Sequence, residues 1–89
     1  MFQALELNPN LKDAYYDRGN AHFKLEHYLE AIADYEKVIK LRKDDAEAYF
    51  NKAIAEFNLG LNQAACADLA KAVELGDEQA SEFIKELCD

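Results

Sequence analysis

Along most of the chain, apolar residues return every third or fourth position, the period of a helix with one buried face. Tyr15, Gly19, His22 and Phe23 lie near one side of a helix expected over residues 11–25. Ala31, Ile32, Tyr35, Val38 and Ile39 share a face and predict a second helix over residues 28–41. The same pair recurs over residues 46–59 and 62–75, and Ala80, Phe83, Ile84, Leu87 and Cys88 mark one face of a fifth helix over 77–88. Residues 1–7 read as the last turns of a helix whose beginning is missing. The breaks carry mechanisms. Asn10 with Asp13, and Asp44 with Glu47, have the spacing of an N-cap followed by an acid. Gly60 and Gly76 can take the left-handed conformation that ends one helix tightly before the next. Glu26 stands where Gly60 falls in the second half, so the first turn must form without glycine.

The recurrence is literal as well as periodic. Residues 12–45 laid over residues 46–79 give a repeat of 34 residues. Identical pairs include Ala14/Ala48, Tyr15/Tyr49, Ala21/Ala55, Phe23/Phe57, Leu25/Leu59, Ala31/Ala65, Asp34/Asp68, Lys37/Lys71 and Leu41/Leu75. Most are alanines or bulky apolar residues, so a packing geometry has been copied.

Antiparallel helix pairs on that period resemble the tetratricopeptide repeat, whose signature is W-x2-L-G-x2-Y…A-x3-F…P. The matching run is Tyr15, Arg18, Gly19, His22, Ala31 and Tyr35 in the first unit and Tyr49, Lys52, Ala53, Glu56, Ala65 and Leu69 in the second. The resemblance implies an all-α fold: helix-turn-helix repeats stacked as a right-handed α-solenoid, with a C-terminal capping helix. The expected division is the end of a truncated preceding repeat at 1–11, repeats at 12–45 and 46–79, and a capping helix at 77–89. Gly19, Ala31, Ala53 and Ala65 fall where the two helices of a unit approach closely, and a longer side chain there would push them apart. Arg18 and Lys52 replace the usual leucine, His22 and Glu56 the usual tyrosine, and Lys43 and Asp77 the closing proline. These departures loosen the consensus while leaving its helix contacts. Such arrays usually need about three repeats or caps, so the chain reads as a fragment or the C-terminal part of a longer array. Its N-terminal end is expected to expose apolar surface.

Charge narrows the partners. The net charge of −8 disfavours nucleic-acid phosphates and anionic lipid, which need clustered Lys and Arg. Nine acids face seven bases in residues 1–45 and nine face three in residues 46–89, so a cationic partner is drawn to the C-terminal half. No apolar run reaches the length of a membrane span and no basic-then-apolar signal opens the chain, which makes the cytoplasm the default compartment.

Little points to chemistry. His22 and His27 are five apart with a turn between, so they are not expected to share a face. No metal spacing such as CxxC or HxxxH is present, and no metal or other cofactor is expected. His22 is read as filling its repeat's tyrosine position, and His27 as capping a turn. Asp13, Asp17, Glu47 and Asp68 have no nucleophile motif or glycine-rich loop beside them and read as solvated helix faces, so no enzyme is expected. Cys66 and Cys88 lie at similar distances from the Gly76 turn on helices that should run antiparallel, which makes them candidate neighbours at the far end of that hairpin. The composition favours the other reading, two small buried apolar residues in a reducing compartment.

What remains is a groove. In the resembling family the first helix of each repeat lines the concave surface. On these helices the inward row is Asp13, Tyr16, Asn20, Phe23 and Lys24, then Glu47, Phe50, Asn51, Ile54, Phe57 and Asn58. Rings beside an amide that can bond a peptide backbone suit a peptide ligand. Each ring also has a packing reading: Phe23 and Phe57 between repeats, Phe50 and Ile54 under the closing helix. Some family members clamp acidic chaperone tails with Lys and Asn here. Asn20 and Asn51 match the asparagine positions, but Tyr16 stands at the lysine position and the third repeat's basic residues have no counterpart. A basic or aromatic-rich protein segment is therefore expected, bound without catalysis. The alternative is a structural role, in which stacked surfaces and the truncated N-terminal end drive self-association.

Overall fold

Five amphipathic segments become five helices in the computed structural model, which describes residues 11–88. They are α1 (Leu11–Lys24), α2 (Tyr28–Leu41), α3 (Ala46–Asn58), α4 (Asn62–Glu74) and α5 (Glu78–Leu87). Each packs on the next, giving the hairpins α1/α2 and α3/α4 with α5 laid against α4. The described residues contain no strand, and the fold is the all-helical repeat stack expected. The expected stub over residues 1–7 lies outside the described residues.

Small side chains set the spacing. Ala31, Ala48, Ala53, Ala55, Ala65, Ala72 and Ala80 are fully buried, and Tyr35, Val38 and Leu69 are the largest side chains sealed with them. At Gly19 an added Cβ would stand 3.0 Å from Tyr35 Cε1 and 3.2 Å from Asp34 Cβ, so α1 and α2 meet there with no room for a methyl group. Burial of the copied alanines is not uniform, however. Ala55 is buried in the row Ala48–Lys52–Ala55, whose Lys52 reaches Glu36 on α2 at 3.4 Å. Ala21, its counterpart on α1, is exposed because no described helix covers the equivalent row. Leu87 is also exposed, while Phe83, Ile84 and Cys88 of the predicted α5 face pack on the core.

The three tight turns share one hydrogen-bond pattern. His27 N–H donates to His22 O at 2.8 Å, Leu61 N–H to Glu56 O at 2.8 Å and Asp77 N–H to Ala72 O at 2.9 Å. Each loop needs one residue at positive φ just before that donor. Gly60 and Gly76 supply it at 81° and 103°, and Glu26 is driven to the same region at 64°. A Cβ is unfavourable there by roughly 1 kcal/mol. Glu26→Gly should accordingly raise unfolding free energy by about 0.5 kcal/mol or more despite the looser unfolded chain, as read by urea melts. Unchanged or lower stability would show that the turn tolerates its Cβ.

Two capping expectations are corrected. The N-cap of α3 is Asp45, whose carboxylate accepts from Ala48 N–H at 3.0 Å, whereas Asp44 pairs with Arg42 at 3.3 Å. His27 precedes α2 but makes no side-chain cap; its ring lies 5.8 Å from that of His22. The left-handed Glu26 folds the chain back and brings the two imidazoles together, contrary to the helical spacing argument.

Candidate functional site

Between α1, α3 and α5 lies a cleft of about 420 Å³. Six residues of the expected inward row line it: Asn20, Phe23, Lys24, Phe50, Asn51 and Ile54. Tyr35, Gln79 and Phe83 line it as well and were absent from that row. Tyr35 belongs to the apolar stripe of α2, and its phenol tip reaches past the core to the cleft, a property of tyrosine that apolar periodicity does not register. Phe83 stands edge-on to Phe50 with ring centroids 5.1 Å apart, so α5 both covers part of Phe50 and forms a wall.

The other predicted residues are placed elsewhere. Tyr16 is half-buried; its hydroxyl accepts from Asn51 Nδ2 at 2.8 Å and its ring meets Tyr35 edge-on at 5.7 Å. Phe57 packs on the core of α3, α4 and α5, and Asn58 Nδ2 donates to Ile54 O at 2.9 Å. Asp13 and Glu47 are exposed near the N-terminal ends of α1 and α3.

A polar rail runs across the floor of the cleft. Tyr35 hydroxyl donates to Asn20 Oδ1 at 2.6 Å, and Asn51 reaches Tyr16 as described. Burial, with Asp34 and Glu47 adding, pushes the Tyr35 phenol up to about 12. Burial, then Glu47 and Asp45, raises Tyr16 further. Both phenols therefore keep their protons and serve as fixed neutral partners. Asn20 Nδ2 and Asn51 Oδ1 have no hydrogen-bond partner among the described residues, leaving one donor and one acceptor at the cleft.

Behind the cleft, each hairpin holds an ion pair at the same repeat position. Arg18 Nε and Nη2 donate to Asp34 Oδ2 and Oδ1 at 2.8 and 2.7 Å, a bidentate fork. In the second hairpin Lys52 lies 3.4 Å from Asp68 and 3.4 Å from Glu36. The copied aspartates and the cations that replaced leucine are thus two halves of one contact. Asp68 is consequently no solvated carboxylate. The bond to Asp34 raises the Arg18 pKa, and for Lys52 the carboxylates together outweigh a burial effect that would lower it. The two family tyrosine positions hold His22 and Glu56, each with one buried atom lacking a partner, Nδ1 and Oε1. Glu56 is pushed up to about 8, first by burial and then by Asp68 through a shared proton and charge repulsion.

Cys66 and Cys88 are joined by a disulfide that ties the first turns of α4 to the residue after α5. Their proximity follows the equal-rise argument; the reading as two free buried thiols does not hold. Among the described residues no group of three or more His, Cys, Asp or Glu could hold a metal ion. No helix among them is long and apolar enough to cross a membrane.

Residues 19–60 match the family profile described as TPR repeat, and residues 46–75 match Tetratricopeptide repeat; together they span more than half of the chain. A stretch of 39 residues is 49% identical to a protein SGT1 homolog of Oryza sativa subsp. japonica, covering 44% of this chain but 11% of that protein. Tetratricopeptide repeats are generally non-catalytic modules of protein–protein interaction. With its stacked helical hairpins and both profile matches, this chain belongs to the tetratricopeptide repeat family.

Proposed function

We propose that the cleft between α1, α3 and α5 binds an extended segment of a protein partner, basic or aromatic-rich in character, without catalysis. One observation carries this reading: aromatic residues from four helices converge with the unpaired groups of Asn20 and Asn51 in a single cleft. Phe23, Phe50, Ile54 and Phe83 offer apolar contact, and the two amides match the alternating donors and acceptors of a peptide backbone. Asp13, Asp17 and Glu47 lie exposed on the same helices in a chain of net charge −8, so the approach favours a cation. Lys24 is the cleft's own positive charge and fits an acidic group at one end of the segment.

Two pools of short synthetic peptides test the reading, one enriched in Lys, Arg, Tyr and Phe and the other in Asp and Glu. The first should bind more tightly by at least about tenfold at low salt, with Phe50→Ala and Asn20→Ala each weakening it by about 1–2 kcal/mol. Equal binding of both pools, or variants without effect, would remove the cleft from consideration. The exposure of Leu25, Leu29 and Leu61 favours self-assembly as a second reading. Light scattering over a concentration series separates the two, since a strictly monomeric chain excludes assembly.

A further inference from the structure

We infer that the Cys66–Cys88 disulfide is a redox latch on α5, and that its reduction withdraws one wall of the cleft. The latch follows from how unevenly α5 is held. Its N-terminal end is fixed three ways: by the Gly76 turn, by Asp77 N–H on Ala72 O, and by the Asp77 carboxylate accepting from Ala80 N–H at 3.1 Å. Ala80, in the first turn, is its only fully buried residue. Beyond it, Phe83 and Ile84 are half-buried, Leu87 is half exposed, and the disulfide at Cys88 closes the far end. A helix of ten residues has little stability apart from its contacts, so the covalent bond carries much of the restraint on its last turns.

Those turns bear on the cleft directly. Phe83 stands five residues before Cys88 and stacks edge-on against Phe50 at 5.1 Å. Neither cysteine is fully buried, so a small reductant can reach the bond. The chemistry is thiol–disulfide exchange with a dithiol. One reductant thiolate attacks a sulfur of the Cys66–Cys88 bond and forms a mixed disulfide while the other cysteine leaves as thiolate. The second reductant thiol then displaces the remaining cysteine, so that the dithiol is oxidised to its disulfide and two protein thiols are released. The freed end of α5 frays, Phe83 leaves Phe50, and the cleft widens on that side. The consequence for binding rests on the function proposed above; the latch itself does not.

Amide hydrogen exchange on the whole chain, untreated and after dithiothreitol, reads the latch without any ligand. Exchange over residues 82–88 should accelerate by about a hundredfold on reduction, the order expected when a cross-link of this span is opened. Residues of α1, α2 and α3 should keep their rates. Cys66→Ser with Cys88→Ser should reproduce the reduced pattern without reductant. Unchanged rates in α5, equal loss of protection across all helices, or two freely titrating thiols in the untreated protein would each overturn the inference. Binding of the basic, aromatic peptide pool measured alongside separates the claims. An opened α5 with unaltered binding contradicts the role of Phe83 in the cleft and leaves the latch standing. A closed α5 with intact binding removes the latch alone.

Discussion

Replacing Arg18 by leucine should cost the folded state about 3–4 kcal/mol, although leucine is the residue the repeat signature carries there. Asp34 is 3% exposed, and the Arg18 fork satisfies both its carboxylate oxygens. Without that fork, the carboxylate is left desolvated, with His22 Nε2 at 4.0 Å as its remaining ion-pair neighbour among the described residues. Asp34 must then hold its charge unpaired, take up a proton, or open the α1/α2 hairpin. Restoring the leucine is therefore insufficient while the acid remains. Arg18→Leu combined with Asp34→Ala should recover most of the loss, because removing both partners leaves no orphaned charge. A double-mutant cycle by chemical denaturation measures this. Additive losses would mean that the fork contributes nothing specific and that the two residues act through packing alone.

Stability should fall as pH rises through the neutral range, and Glu56 is the reason. Glu56 is 5% exposed, and its carboxyl keeps its proton to about pH 8, against an ordinary value of 4.5. The groups facing it are Asp68 on α4, Glu36 on α2 and Lys52 on its own helix; the acids raise its pKa and the lysine lowers it. Between those two pH values the folded chain binds more protons than the unfolded one, so unfolding free energy decreases with increasing pH. The contribution is complete below about pH 4.5 and is lost as pH rises through about 8. The loss is on the order of 4 kcal/mol between pH 5 and pH 9, since each pKa unit is worth about 1.4 kcal/mol. Glu56→Gln keeps the shape and a neutral hydrogen-bonding group. It should flatten that slope and be the more stable protein at pH 9. Parallel slopes for the two proteins from thermal melts would assign the pH dependence to other groups.

The five helices and their turns were legible because their signals are local. A period near 3.6 and a residue that tolerates positive φ require no knowledge of neighbours, and Glu26 shows that the turn geometry holds even where its preferred residue is absent. Asp45 rather than Asp44 caps α3 because two adjacent acids satisfy the same local rule, and which one turns inward is decided by the helix start. Contacts across the hairpins were less legible. Arg18 and Lys52 read as departures, and Asp34 and Asp68 as copied residues, until packing joined them. Ala21 and Ala55 are identical in sequence and opposite in burial, since burial belongs to the surroundings of a residue. The same limit holds at the cleft. Helical phase put Tyr16 beside Asn20, but distance then tied Tyr16 to Asn51, while Tyr35 and Phe83 entered from helices whose apolar stripes read only as core.

The claim that this cleft receives a partner is tested most directly by amide chemical-shift mapping on isotope-labelled protein titrated with the basic, aromatic peptide pool. Saturable shifts should concentrate at Asn20, Phe23, Phe50, Asn51, Ile54 and Phe83, with α2 and α4 little affected away from Tyr35. Shifts confined to the outward faces of α2 and α4, or to the exposed leucines at the hairpin turns, would contradict it.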